Sequence, residues 1–117
     1  MLKNQSKHPK WVYIASPYQG DIEINTANAR KYCQYAIRHS YLPVCPHIYF
    51  TQFLNEFDQK QRDTGMYLGI QMLLKCSEVW CFGERISDGM KAEIHTAKTH
   101  GIPVRYFNNN FEEEKSL

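Results

Sequence analysis

Four short apolar runs punctuate the chain: WVYIAS at 11–16, LPVCP at 42–46, EVWCFG at 78–83 and IPVRYF at 102–107. Each is rich in β-branched or aromatic residues, continuous rather than alternating, and bounded by Pro, Gly or Ser. Unbroken apolar runs of this length suit strands covered on both faces, as in a parallel sheet. Between the runs the period changes to that of a helix. From about Ile22 to His39, the residues Ala29, Cys33, Ala36 and Ile37 share one stripe, with Asp21 placed to cap it. A second helix is expected from about Arg62 to Lys75, through Met66, Leu68 or Gly69, Met72 and Leu73. A third runs from about Asp88 to Thr99, where Gly101 and Pro103 stop it.

Strands alternating with helices predict a three-layer α/β/α domain, flavodoxin-like (Rossmann-like), with a parallel sheet of about four strands. Helices can cover both faces only if the strand order reverses, and the simplest such order is 2-1-3-4. Ligands of these sheets lie beyond the carboxyl ends of the strands, at the reversal between strands 1 and 3.

At 117 residues there is room for one core. Residues 1–10 read as a flexible leader, 11–108 as the domain and 109–117 as a polar C-terminal tail. The net charge is +2, and Lys and Arg gather only in the leader, KNQSKHPK. That spread argues against a nucleic-acid polymer as partner. The first apolar run is too short for a signal-peptide core or a membrane span, so a cytoplasmic location with no membrane partner is expected. Cys33, Cys45, Cys76 and Cys81 show no C-x-x-C spacing, and the histidines no ligand spacing. Reduced thiols, no metal and no resident cofactor are expected.

The chemistry should sit in the loops leaving the strands. In SPYQGD, Pro17 and Gly20 set a tight turn, and Ser16 ends the strand. Its hydroxyl and the loop N–H groups suit an anionic or hydroxylated ligand, and Tyr18 a base or sugar; an ordinary turn with one exposed tyrosine is the plainer alternative. In RISDGMKAE, Ser87 or Asp88 caps the third helix, and Gly89 lets a ligand approach the backbone. That helix N-terminus favours a phosphate, with Arg85 as a helper or a plain surface charge. Glu93 lies one turn further in, on the same side as Met90 and Ala97. A carboxylate on a buried helix side at the mouth of a crevice is where a nucleophile or base belongs, although a capping or ion-paired glutamate fits the spacing equally. His47 follows strand 2, as a catalytic group or a partner for loop backbone. Tyr49, Phe50, Phe53 and Phe57 come next, more aromatic surface than so small a domain easily buries, and a contact between subunits is expected there.

Together these pieces resemble the nucleoside 2-deoxyribosyltransferase superfamily, with its related deoxynucleotide N-hydrolases. The chain is most similar to a small bacterial and phage branch known only as a domain of unknown function. The resemblance runs from VYIASPY at 12–18 to GIPVRYF at 101–107. It rests on the strand-1 loop Tyr13–Tyr18, on S-x-G-x-x-x-E at Ser87, Gly89 and Glu93, and on Ala97, Gly101, Ile102, Pro103 and Val104. It implies cleavage or transfer of the base of a 2′-deoxynucleoside or its 5′-monophosphate, with Glu93 attacking the anomeric carbon. Ser87 and Gly89, beside Met90, would then hold the 5′ end, Tyr13, Ser16 and Pro17 the sugar side, and Tyr18 the base side. It also implies a homo-oligomer. One departure stands out. Members of the family carry an aspartate on the helix before strand 3, whereas this chain reads Gly69, Ile70 and Gln71, with Asp63 almost two turns earlier. A nucleobase leaves poorly without protonation. The departure favours a second reading, a non-catalytic module that binds a nucleotide or an NAD-derived ligand.

Overall fold

The computed structural model describes residues 7–115. A five-stranded sheet has the order β2-β1-β3-β4-β5. Its strands are β1 (Trp11–Ala15), β2 (Leu42–Val44), β3 (Glu78–Phe82), β4 (Val104–Phe107) and β5 (Glu113–Glu114). The first four pair in parallel, in the expected order 2-1-3-4. The fifth turns back antiparallel on β4, placing Glu114 opposite Tyr106 and Glu113 opposite Phe107. The polar tail gave no sign of it, because its two strand residues are exposed glutamates. A side chain of the neighbouring strand holds it. Arg105 donates to both carboxylate oxygens of Glu113, at 2.9 and 2.8 Å, and to Glu78 at 3.3 Å. Leader residues 1–6 lie outside the described part of the chain, as do tail residues 116–117.

Helix α1 (Ile22–Arg38) starts at Asp21, whose carboxylate accepts from the Ile24 amide. Its buried stripe is Ala29, Tyr32 and Ala36, with Cys33 and Ile37 half-buried at the edge. After β2 come a one-turn helix α2 (Pro46–Tyr49) and a 3-10 turn over Phe50–Gln52, neither anticipated from the pattern. Helix α3 (Gln59–Leu73) begins three residues before the expected Arg62, because the Asp58 carboxylate accepts from Gln61 N and caps it there. Only Gly69 and Leu73 of its stripe are buried; Met66 and Leu68 are exposed, Met66 at the wall of a cavity. Helix α4 (Asp88–Thr99) is capped by Ser87, which accepts from Met90 N. It ends where Gly101 takes a φ of 70°, a left-handed conformation that glycine adopts without strain, and Ile102 N donates back to Ala97 O at 2.8 Å.

Alternation along the strands builds two cores. Val12, Ile14, Trp80, Phe82 and Phe107 point to one face and pack with Tyr32 and Ala36 of α1. Tyr13, Ala15, Val79, Cys81 and Tyr106 point to the other and pack with Leu73 of α3 and Met90, Ile94 and Ala97 of α4. The second face carries the site. Among the described residues, no helix is long and apolar enough to cross a membrane.

Candidate active site

The loops leaving β1, β2 and β3 stand side by side, because β2 and β3 flank β1 in the sheet. With the facing sides of α3 and α4 they enclose a cavity of about 530 Å³. Its wall includes Tyr13, Ser16 and Tyr18 from the first strand and its loop, Pro46 and His47 after the second, and Arg85, Ser87, Gly89, Met90 and Glu93 from the third.

Glu93 is the centre of this arrangement. Helical spacing from Met90 to Ala97 carries it inward, so that it is only 7 % exposed. Burial raises its pKa to about 7, against the lowering effect of its hydrogen bond with Tyr13. The Tyr13 hydroxyl donates to Glu93 Oε2. That phenol is itself pushed well above its usual range, by burial first and then by the Glu93 charge. Among the described residues no Lys, Arg or His pairs with Glu93. A buried carboxyl group with a raised pKa, held at one oxygen and lining a cavity wall, is equipped to attack an electrophilic carbon or to take a proton.

Around it, Ser16 is almost fully buried and its Oγ has no hydrogen-bond partner. Unpaired buried hydroxyls are uncommon, and one lining a cavity is poised for a ligand. Ser87 Oγ accepts from Met90 N at 3.2 Å, capping α4 at the cavity wall. Gly89 is helical, and a Cβ there would meet only Ser87 Oγ, at 4.0 Å. The bare backbone at Gly89 keeps the approach to the helix N-terminus open. Arg85 is exposed at the rim. Pro17 is not part of the wall; its ring lies near Gly83, where an added Cβ would be 4.0 Å from it.

On the β2 side, the Tyr18 and His47 rings lie 5.3 Å apart at 43°. Burial lowers the His47 pKa to about 4, so the ring is neutral at ordinary pH, and its Nδ1 is buried without a partner. Asp63 stays apart, exposed on α3 and accepting from Gln59 Nε2 at 2.7 Å. At Gly69 the cavity wall is bare. A Cβ there would sit 3.5 Å from the Pro46 ring and 3.6 Å from the Tyr13 hydroxyl, so any side chain at 69 would reach the Tyr13–Glu93 pair.

Residues that the sequence pattern did not single out complete the wall: Gln19, Thr51, Glu56, Gln61 and Arg62. With its amide turned to suit, the Gln19 side-chain oxygen accepts from the Arg62 guanidinium at 2.8 Å. Glu56 presents a buried Oε2 with no hydrogen-bond partner. Nothing in the run FLNEFDQ separates this glutamate from an acid preceding a helix.

The fold has relatives. The chain superposes on the 2-deoxyribosyltransferase of the psychrotolerant bacterium Bacillus psychrosaccharolyticus with a TM-score of 0.69 at 16% identity, covering 84% of this chain and 72% of that one. A 2-desoxiribosyltransferase from Leishmania mexicana gives 0.61, also at 16% identity, covering 92% and 79%. No curated protein sequence matches. The profile of one protein family, Domain of unknown function (DUF7768), matches residues 10–107. That span takes in every parallel strand and the whole cavity wall, and the chain belongs to the DUF7768 family, with the fold of the 2-deoxyribosyltransferases.

Proposed function

We propose that the protein cleaves or transfers the N-glycosidic bond of a 2′-deoxynucleoside or its 5′-monophosphate, with Glu93 as nucleophile. The observation that carries this reading is the buried Glu93 carboxylate, tethered by Tyr13 and free of any cation, at the wall of a nucleoside-sized cavity. Small-ligand sites are commonly cavities of roughly 300–1,000 Å³.

Tyr13 holds Oε2, which leaves Oε1 for attack on C1′. As the C1′–N bond breaks, its electron pair leaves with the base, which takes a proton from solvent, and the sugar passes through an oxocarbenium-like state onto Glu93 as an ester. Water or an incoming base then takes the sugar from the ester and restores the carboxylate. The free N–H groups and the Ser87 cap at the start of α4 face the 5′ end, where the helix N-terminus favours a phosphate. Ser16 Oγ finds its missing partner in a sugar hydroxyl. The likeness to two deoxyribosyltransferase structures supports the reaction class.

Gly69 favours a second reading. With no side chain there, α3 brings no acid to the Tyr13–Glu93 pair, as suits a pocket that binds a nucleotide or an NAD-derived ligand without turning it over. The exposed rings of Tyr49, Phe53 and Phe57 fit a contact between copies of the chain, which sedimentation would reveal.

The test is base release. Wild-type protein and Glu93→Ala are incubated with 2′-deoxynucleosides and their 5′-monophosphates, and free base is measured by chromatography. Release by wild type alone supports the glycosidase reading. Binding without release selects the second reading.

A further inference from the structure

The cavity holds a second carboxylate that the chemistry at Glu93 does not use. Glu56 reaches it from the segment after β2, whereas Ser87 follows β3, on the other flank of β1. A nucleotide with its phosphate at α4 and its sugar over Glu93 therefore extends its base toward Tyr18, His47 and Glu56. There the Tyr18 hydroxyl interacts with the Glu56 carboxylate, its pKa raised by burial first and then by the Glu56 charge, while Glu56 Oε2 is buried without a hydrogen-bond partner. Among the described residues Glu56 forms no ion pair, and the Arg62 guanidinium on the same wall donates to Gln19. Asp88 is no substitute, since its side chain is fully exposed beside Lys91.

A carboxylate is an acceptor only, with two oxygens side by side. Oε2 lacks a donor here, and since each carboxylate oxygen can accept more than one hydrogen bond, the best match for the group is a pair of adjacent N–H groups. Among the common bases only guanine offers that pair, at N1 and the 2-amino group. Adenine and cytosine place a ring acceptor next to their amino group, which a carboxylate repels, and thymine sets one N–H between two carbonyls. The Tyr18 and His47 rings supply a face on which a base can stack.

We infer that Glu56 reads the base and selects guanine, so that the preferred ligand is 2′-deoxyguanosine or its 5′-monophosphate. This rests on the cavity being a nucleotide site, as proposed above, though not on turnover. Reading a base edge by paired hydrogen bonds is worth roughly ten- to hundredfold in discrimination.

Calorimetric binding tests it in the Glu93→Gln protein, where no turnover disturbs the titration, with and without Glu56→Gln. The ligands are the deoxynucleosides and 5′-monophosphates of guanine, hypoxanthine, adenine, cytosine and thymine. The guanine ligand is expected to bind tightest, and the hypoxanthine one, which lacks only the 2-amino group, about tenfold more weakly. Glu56→Gln should close the gap between these two and leave the thymine ligand almost unchanged. The guanine–hypoxanthine comparison needs no Glu56 variant, so a variant that failed to fold would not spare the inference. Binding of all five bases alike, or a ranking that survives Glu56→Gln, overturns the role of Glu56 and leaves the glycosidase reading standing. Binding of none overturns both.

Discussion

The two faces of the sheet are built from the same four parallel strands and have different tasks. On the α1 face the rings of Tyr32, Tyr35, Trp80, Phe82, Phe107 and Phe111 stack on and edge into one another, with Tyr32 and Phe82 centroids 4.3 Å apart. No residue of that core lines the cavity. On the α3–α4 face the strands carry Tyr13, Ala15, Val79 and Cys81, and the small residues leave space. There the unpaired Ser16 Oγ and the buried Glu93 sit beside the cavity. Burying rings stabilises by non-directional area and by favourable ring geometry. Burying a carboxylate and an unpaired hydroxyl does the opposite, so this face is less stable than its packing alone would make it. One face holds the fold together while the other holds a strained site in place.

The contrast can be measured. Trp80→Ala removes the centre of the aromatic face and should destabilise by about 4 kcal/mol in urea denaturation. Ser16→Ala, equally buried on the other face, should change stability by less than about 1 kcal/mol, because it deletes a hydroxyl that has no partner. Equal losses from the two would erase the distinction.

Glu93→Gln should raise stability, with a sign set by pH. The folded carboxyl titrates at about 7 and the unfolded one near 4.5. Between these values the unfolded chain has released the proton that the folded one keeps, so wild-type stability falls as pH rises through this window. The variant should therefore match wild type below about pH 4.5 and exceed it above pH 7, by up to about 3 kcal/mol. Urea melts at pH 4, 6 and 8 would show it. His47 acts in the opposite sense over much the same range. Its folded pKa of about 4 lies below the usual 6.5, so its contribution is present above about pH 6.5 and is lost as pH falls toward 4. Between about pH 4.5 and 6.5 the two effects oppose each other, so the wild-type profile should be flatter there than that of Glu93→Gln.

Tyr13→Phe should have a modest effect on stability, about 1 kcal/mol, and a distinct effect on rate. The Tyr13 hydrogen bond lowers the Glu93 pKa. Without it, the rise of kcat/KM with pH, expected near 7 in wild type, should move to higher pH. A profile that falls in height without moving would show that Tyr13 serves only to pack.

Strands and helices were legible because their periods are set by burial, which the apolar pattern records directly. Ser87, Gly89 and Glu93 were legible for the same reason: a helix start and a carboxylate on the apolar stripe are local features. The short α2 and the early start of α3 were not, since Pro46 and the Asp58 cap act over a few polar residues with no apolar period. Strand β5 escaped because it is held by Arg105 and main-chain pairing rather than by buried side chains. Glu56 and the Gln19–Arg62 pair escaped for a different reason. Their meaning lies in which distant segments the fold brings to one wall, and a single run of residues does not encode that. The place of Asp63 on α3 needed the helix phase, which turns it outward.

The central claim is that Glu93 forms a bond to the sugar. Wild-type protein mixed with 2′-deoxyguanosine 5′-monophosphate, quenched in acid within the turnover time, digested and analysed by mass spectrometry tests it most directly. A deoxyribosyl phosphate adduct on the peptide carrying Glu93, absent from Glu93→Gln, is the expected result. Free guanine accumulating from wild type, with Glu93 unmodified and Glu93→Gln equally active, would contradict it.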